Sequence, residues 1–349
     1  MRIRENDQML IRCCDTGEEK KLLDAASELG LSVDTGTSGM ESRKRAYYLN
    51  TFVYLLDPEA KTLGYIGQRS IFGAMAACET RSFSVDEALN IIRNGMAPEE
   101  SAVPVFHIPH DGWKFPEELM ASVCVPRDTF QFYHEKMRDR YAALLIPPCY
   151  RTRAQSVEFE ISRLLCDVER LEDPREPMKK YGMGICYENA FDGTRINSIT
   201  EEAKNEAMEY YKEHHRRMNR ICDEYRRFLL FDLHSYSDDI IPPDLLTPGH
   251  KTPDLCIGTD PALTPPWLAE SVRKHFEEAG FSTAFNYPYG GCYIPEDILT
   301  GRSPSACMPV MIEFNRRVYI KGKGVPDEEK VLAIRRVIKD IAAECAVRQ

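Results

Sequence analysis

The chain has 349 residues, of which 43% are hydrophobic and 29% charged, with a net charge of -10. That balance excludes a wholly disordered, collagenous or coiled-coil chain, and a field of that sign disfavours nucleic acid as a partner. The opening MRIRENDQML has no apolar secretory core, and no run approaches the roughly 18 apolar residues of a membrane span. The expectation is a protein that starts near Met1, has no membrane partner and works in the cytoplasm. Its 12 cysteines are scattered without a CxxC or CxxH pair. Reduced thiols are therefore expected, with Cys166 and Cys256 in the core, and not a disulfide framework or a cysteine metal cluster.

In chain order, the first hundred residues predict a small α/β unit. It has a helix over Glu18 to Leu29, a strand over Tyr47 to Asp57, an apolar stretch from Gly64 to Ala77, and a helix with Ser84 as N-cap and Glu87 in the capping-box position. The polar, proline-bounded run APEESAVP, Ala97 to Pro104, reads as a linker. It divides an accessory unit, 1–98, of unassigned role from a catalytic domain, 99–349. From Val103 onward the strand candidates are VPVFHI, AALLI, RFLLFDL, DLCIG, FSTAFNY and CMPVMIEF. They alternate with helices over Glu201 to Arg227, Trp267 to Ala279 and Glu328 to Val347. Short apolar strands between helices predict an α/β domain with a buried parallel or mixed sheet, in which ligands bind at strand ends.

Three histidines fall at such ends: His107 and His110 in VFHIPHDG, and His234 after FLLFDL. Two imidazoles three residues apart and a distant third can close on one zinc ion and leave a position open. His214 and His215, in the long polar helix, read as plain hydrogen-bonding side chains. Asp232, two residues before His234, is placed to orient it. Glu313 ends the apolar run PVMIEF, where a carboxylate can take a proton from water and pass it to a leaving amine; its alternative is an ion pair with Arg316 or Arg317. Arg163 and Arg170 flank LLCDV and could grip a substrate carboxylate through a bidentate fork, or pair with Glu160, Asp167 or Glu172. In NYPYGGCYIP, Gly290 and Gly291 suit close backbone approach to a ligand, presenting Tyr289 or Tyr293. The chain has no GxSxG elbow, phosphate loop or GxGxxG, the marks of serine hydrolases and nucleotide binders.

Taken in order, Pro109 to Gly112, SRLLCDVERLEDPREPMKKYGMGICY, DLHSYSD, LCIGTD, NYPYGGCYIP and MIEFNRRVY resemble the N-formylglutamate amidohydrolase family, from about Val103 to Ile320. That family is similar to the zinc carboxypeptidases and aspartoacylases. The resemblance implies a phosphorylase/hydrolase-like mixed sheet with helices on both sides and one zinc per chain. It also implies His110 and His234 as ligands, Glu313 as the catalytic acid and Arg170, in DVER, where relatives carry a carboxylate-recognising Asn-Arg pair. The early loop departs from the family's HxxE, since His107 and His110 stand there, so the third ligand is open between His107 and an acid such as Glu117. The function expected is metal-dependent hydrolysis of a small N-acyl, in the simplest case N-formyl, amino acid. A carboxypeptidase-like enzyme acting on a peptide or cell-wall fragment, and a catalytically idle binding protein, are the alternatives.

Overall fold

The computed structural model describes residues 9–13, 16–34, 50–57, 62–70, 81–93 and 100–348. Residues 47–49, 71–77 and 97–99, which fall within the sequence expectations, lie outside them. The N-terminal elements are β1 (Met9–Cys13), α1 (Thr16–Glu28), β2 (Ser32–Asp34), β3 (Asn50–Asp57), β4 (Thr62–Ser70) and α2 (Val85–Arg93). The strands form one sheet in the order β1-β3-β4-β2, with β2 parallel to β4 and the other pairs antiparallel. Leu22, Ala25 and Ala26, at helical spacing on α1, meet Ile11, Phe83 and Leu89 in a core of their own. Ser84 caps α2, its Oγ accepting from the Glu87 amide at 3.1 Å.

The larger sheet has the order β6-β5-β7-β10-β8-β9. Its strands are β5 (Val103–Ile108), β6 (Ser156–Glu158), β7 (Arg227–Tyr236), β8 (Leu255–Gly258), β9 (Thr283–Phe285) and β10 (Ala306–Asn315). The first four in spatial order run parallel, and β8 joins β10 antiparallel, so the sheet is mixed. Helices α3 (Arg127–Met137), α4 (Glu201–Glu224), α5 (Pro266–Glu278) and α6 (Glu328–Ala346) surround it. Alternation along the strands assigns the two faces. Phe106, Leu229, Phe231, Val310 and Ile312 pack with Val272 and Phe276 of α5 and with Ile334 and Ile338 of α6. Val103, Val105, Phe228, Leu230 and Cys307 pack with Met218, Ile221 and Cys222 of α4. The N-terminal unit rests on α6, where Asn90 donates to the Ala343 carbonyl at 3.2 Å and Lys339 pairs with Glu18.

One strand expectation fails. AALLI forms a 3-10 turn over Ala142–Leu145 and no strand. Tyr141 turns the chain at φ 64°, and Ile146 runs into Pro147 and Pro148, which have no N–H to offer a sheet ladder.

Helix α3 buries His134, whose Nδ1 lies 2.9 Å from Ser162 Oγ. Burial, with Arg138 nearby, pushes its pKa down to about 3 from an ordinary 6.5. The folded protein therefore keeps this imidazole neutral while the unfolded chain binds a proton below 6.5, so acidification favours unfolding through that window. Between pH 6.5 and 5 the loss is on the order of 2 kcal/mol. His134→Gln is expected to remove that much of the difference between urea unfolding free energies at pH 7 and pH 5. An unchanged difference would assign the acid sensitivity to other groups.

Candidate active site

The α4-facing stripe of the sheet turns from apolar to polar at its carboxyl ends. On β5 it runs Val103, Val105, His107; on β7 Phe228, Leu230, Asp232, His234; and on β10 Cys307, Pro309, Met311, Glu313. The register sets His107 beside Asp232 and His234 beside Glu313. Strand geometry alone thus gathers four of the polar groups at one end of the sheet.

The loop after β5 supplies His110. Its close packing requires Gly112, where a Cβ would stand 2.3 Å from the Ile161 carbonyl oxygen. The same loop recruits a distant acid. Asp139 donates its amide to the His110 carbonyl at 2.9 Å, and Asp111 accepts from the amides of Tyr141 and Ala143 at 3.0 and 3.1 Å. The Asp139 carboxylate is thereby delivered to the histidines. His234 Nδ1 is 3.0 Å and His110 Nδ1 3.7 Å from its Oδ2, and the two Nδ1 atoms are 3.2 Å apart.

The opposite ring nitrogens meet other carboxylates: His110 Nε2 lies 2.9 Å from Asp167 Oδ1, and His234 Nε2 lies 3.1 Å from Asp232 Oδ1. Burial would lower the pKa of His234, but without an ion Glu169 and Asp232 raise it well above its ordinary value. In their neutral form protonated at Nε2, as metal ligation requires, both imidazoles would turn bare Nδ1 lone pairs toward each other and toward Asp139. Three lone-pair donors converging on one point make a cation-binding arrangement of two imidazoles and one carboxylate, a donor set suited to zinc. His110, Asp139 and His234 are all buried. Burial alone would raise Asp139, but without an ion, with protons on the Nδ1 atoms of His110 and His234, their hydrogen bonds and charge hold its carboxyl well below the usual range.

A second group that could hold an ion is His107, Glu169 and Asp232. Within it His107 has both ring nitrogens engaged, Nδ1 by Asp232 at 2.8 Å and Nε2 by His214 at 2.9 Å. Asp232 Oδ2 accepts from the Tyr293 amide at 2.8 Å, which draws the Gly290-Gly291 loop over the site. Gly258 lets this loop pass, since a Cβ there would come within 2.0 Å of the Gly291 oxygen. Burial lowers the pKa of His214 far below normal and that of His215 to about 4, so both stay neutral.

Glu313 is buried on the cleft wall. Burial pushes its carboxyl up to about 8 against the opposing charge of His234. Arg163 and Arg170 meet at Asp167, whose Oδ2 lies 3.0 Å from Arg163 Nη2, 3.4 Å from Arg170 Nε and 2.6 Å from the Tyr187 hydroxyl. Burial would raise Asp167, but Arg170, His110 and Arg163 hold it well below normal. His110, Asp139, His234, Glu313, Arg163, Arg170 and Glu169 line one cleft of about 950 Å³, together with Tyr289, Gly290 and Gly291, and Asp167 lies buried behind its wall. Glu117 stands on a separate one-turn helix and is not among the residues lining this cleft. Asp139, Asp167 and Glu169 were not singled out as site residues by sequence. For Asp167 and Glu169 the signal available was their place between two cleft arginines; for Asp139 there was none.

Among described residues no helix is long and apolar enough to cross a membrane. No curated protein matches the chain. A crystal structure of N-formylglutamate amidohydrolase from Ralstonia eutropha has the same fold, with a TM-score of 0.57 at 19% identity, covering 71% of this chain and 95% of that one. A gene product from Agrobacterium tumefaciens gives a TM-score of 0.47 at 19% identity, over 69% of this chain and 89% of that one. The sequence profile of N-formylglutamate amidohydrolase matches residues 103–320, the stretch that holds the mixed sheet and every side chain of the cleft described above. By that match over more than half its length, the chain belongs to the N-formylglutamate amidohydrolase family.

Proposed function

We propose that the protein is a zinc-dependent hydrolase of the amide bond of a small N-acyl, in the simplest case N-formyl, amino acid, with one zinc per chain. The observation that carries this is the convergence of His110, Asp139 and His234 beside Glu313, with Arg163 and Arg170 in the same cleft. His110, Asp139 and His234 would hold the ion, which when bound supplies Lewis acidity to the scissile carbonyl. Asp167 and Asp232 orient the two imidazoles from their far nitrogens. Glu313 accepts a proton from the attacking water at its carboxylate and returns it to the leaving nitrogen. Burial raises its pKa, which suits it to return the proton, and the carboxylate form that accepts it would be favoured by the charge of a bound ion. Arg170, with Arg163, holds the substrate carboxylate, and Tyr289, Gly290 and Gly291 close the opposite wall.

The proposal assigns catalysis to 99–349 and an accessory role to 1–98, supported by the separate apolar cores of the two parts. A reducing, cytoplasmic setting is supported by ten free cysteines among the described residues. A second reading, hydrolysis of a peptide or cell-wall fragment, draws on the cleft's 950 Å³, the upper end of what a drug-sized ligand fills. Incubation of the zinc-loaded protein with N-formylglutamate, other N-acyl amino acids and C-terminal peptides, with released amine as readout, separates the two. No release from any of them, at one zinc per chain, would sink both.

Charge-assisted hydrogen bonds to a carboxylate are worth roughly 1.5–3 kcal/mol. Arg170→Ala is therefore expected to reduce the preference for a substrate acid over its methyl ester about tenfold or more, and Arg170→Lys not to restore it, because an ammonium lacks the planar fork. Equal ratios of kcat/KM in the variant and the unaltered enzyme would confine Arg170 to its pairing with Asp167.

A further inference from the structure

The acids in and just behind the cleft wall differ in how far their lone pairs are already used. Asp167 is met by His110, Arg163 and Tyr187, and Asp139 by His234 and the Ser235 amide at 3.1 Å. Asp232 is met by His107, His234 and the Tyr293 amide. Glu169 is different. Its carboxylate stands 3.3 Å from His234 Nε2, 3.5 Å from His110 Nε2 and 3.8 Å from His107 Nδ1. Each of those nitrogens lies closer to another acid, at 3.1, 2.9 and 2.8 Å. Of these four acids it is thus the one whose histidine neighbours each lie closer to another carboxylate, and its side chain is 15% exposed on the cleft wall.

Its neighbour in sequence carries the opposite charge into the same cleft. The turn that places both is set by Asp167, whose Oδ1 accepts the Glu169 amide at 3.0 Å and whose Oδ2 lies 3.4 Å from Arg170 Nε. A carboxylate and a guanidinium lining one cleft match an amino-acid head group that retains both ammonium and carboxylate. A conventional Nα-acyl amino acid has lost its ammonium to the amide and brings Glu169 no cationic partner of its own. A second metal ion is the poorer occupant, because His107 and Asp232, the other members of that group, are fully buried and spend their donors and acceptors on each other, His214 and Tyr293.

We propose that Glu169 and Arg170 together select a zwitterionic amino-acid head, so that the amide cleaved lies on the side chain, as in an Nω-acyl diamino acid. This rests on the hydrolase reading above and narrows its substrate class. Glu169 is the specificity-determining residue for the ammonium and Arg170 for the carboxylate.

The test compares Nε-formyl-L-lysine with 6-formamidohexanoic acid, which differs only in lacking the α-ammonium, in zinc-loaded unaltered enzyme and Glu169→Gln. The unaltered enzyme is expected to favour the lysine derivative in kcat/KM about tenfold or more, the range of one charge-assisted hydrogen bond. Glu169→Gln is expected to bring the ratio near one at unchanged zinc content. A ratio near one in the unaltered enzyme, or a preference that survives in Glu169→Gln, overturns the inference. Loss of zinc in Glu169→Gln overturns it too, by assigning the carboxylate to the ion. Cleavage of N-formylglutamate but neither probe would leave the hydrolase reading standing without this refinement, whereas cleavage of none of the three would remove both.

Discussion

His234→Ala and Asp139→Ala are each expected to retain under about a tenth of the zinc that the unaltered chain holds after dialysis against a chelator. Each removes one of three donors from an open three-ligand site, and the remaining pair cannot close around the ion. His107→Ala is expected to behave differently. Its imidazole orients Asp232, which in turn meets His234, so its loss acts at one remove, by a factor of 10 to 100 in metal affinity at most. Zinc per chain, measured by plasma mass spectrometry, distinguishes these outcomes. Thermal unfolding gives a readout independent of turnover, because an ion at 100 times its Kd stabilises the folded state by about 2.7 kcal/mol. The chelator-induced drop in Tm seen with the unaltered chain should vanish in the first two variants. Full zinc in His234→Ala would move the ion to the neighbouring group of His107, Glu169 and Asp232.

Glu313→Gln is expected to lower kcat by about two to four orders of magnitude, the usual contribution of general acid and base catalysis. KM, zinc content and fold should be nearly unchanged. The isosteric amide cannot accept the proton, yet it fills the same space at the end of β10 next to His234. Folding should not suffer either, since burial already disfavours the charged form of this carboxyl and a neutral amide carries no such penalty. Single-turnover rates on zinc-loaded protein provide the check. A variant within a factor of about three of the unaltered enzyme would return Glu313 to a structural role. Simultaneous loss of zinc would instead make it a ligand.

Much of the scaffold follows from local pattern. Apolar runs bounded by turn residues mark β5, β7, β8 and β10, and the amphipathic stretches mark α4, α5 and α6, because burying one face is a requirement that each segment states in its own residues. AALLI is as apolar as any of them, but its prolines and the φ of Tyr141 decide against a strand. Period-2 alternation also carries part of the site. His107, Asp232, His234 and Glu313 lie on one face of adjacent strands, so their approach is a consequence of strand register.

The α/β class, the family resemblance and the strand-end histidines and acid are legible in the chain before it folds, since they depend on composition, periodicity and ordered motifs within short windows. Which groups converge depends on how the folded loops close. Asp139 reaches the histidines through an amide bonded to the His110 carbonyl and a loop pinned by Asp111, contacts that no spacing encodes. His107 and His110 are equivalent in sequence, yet one ring is spent between Asp232 and His214 while the other turns Nδ1 toward His234 and Asp139. Asp167 has the composition of a surface ion-pair partner and lies instead at the buried meeting point of His110, Arg163, Arg170 and Tyr187. One cause underlies all three. A polar side chain's role is set by which lone pairs and protons its neighbours have already taken, and those neighbours are assembled from segments tens of residues apart when the sheet and its loops close.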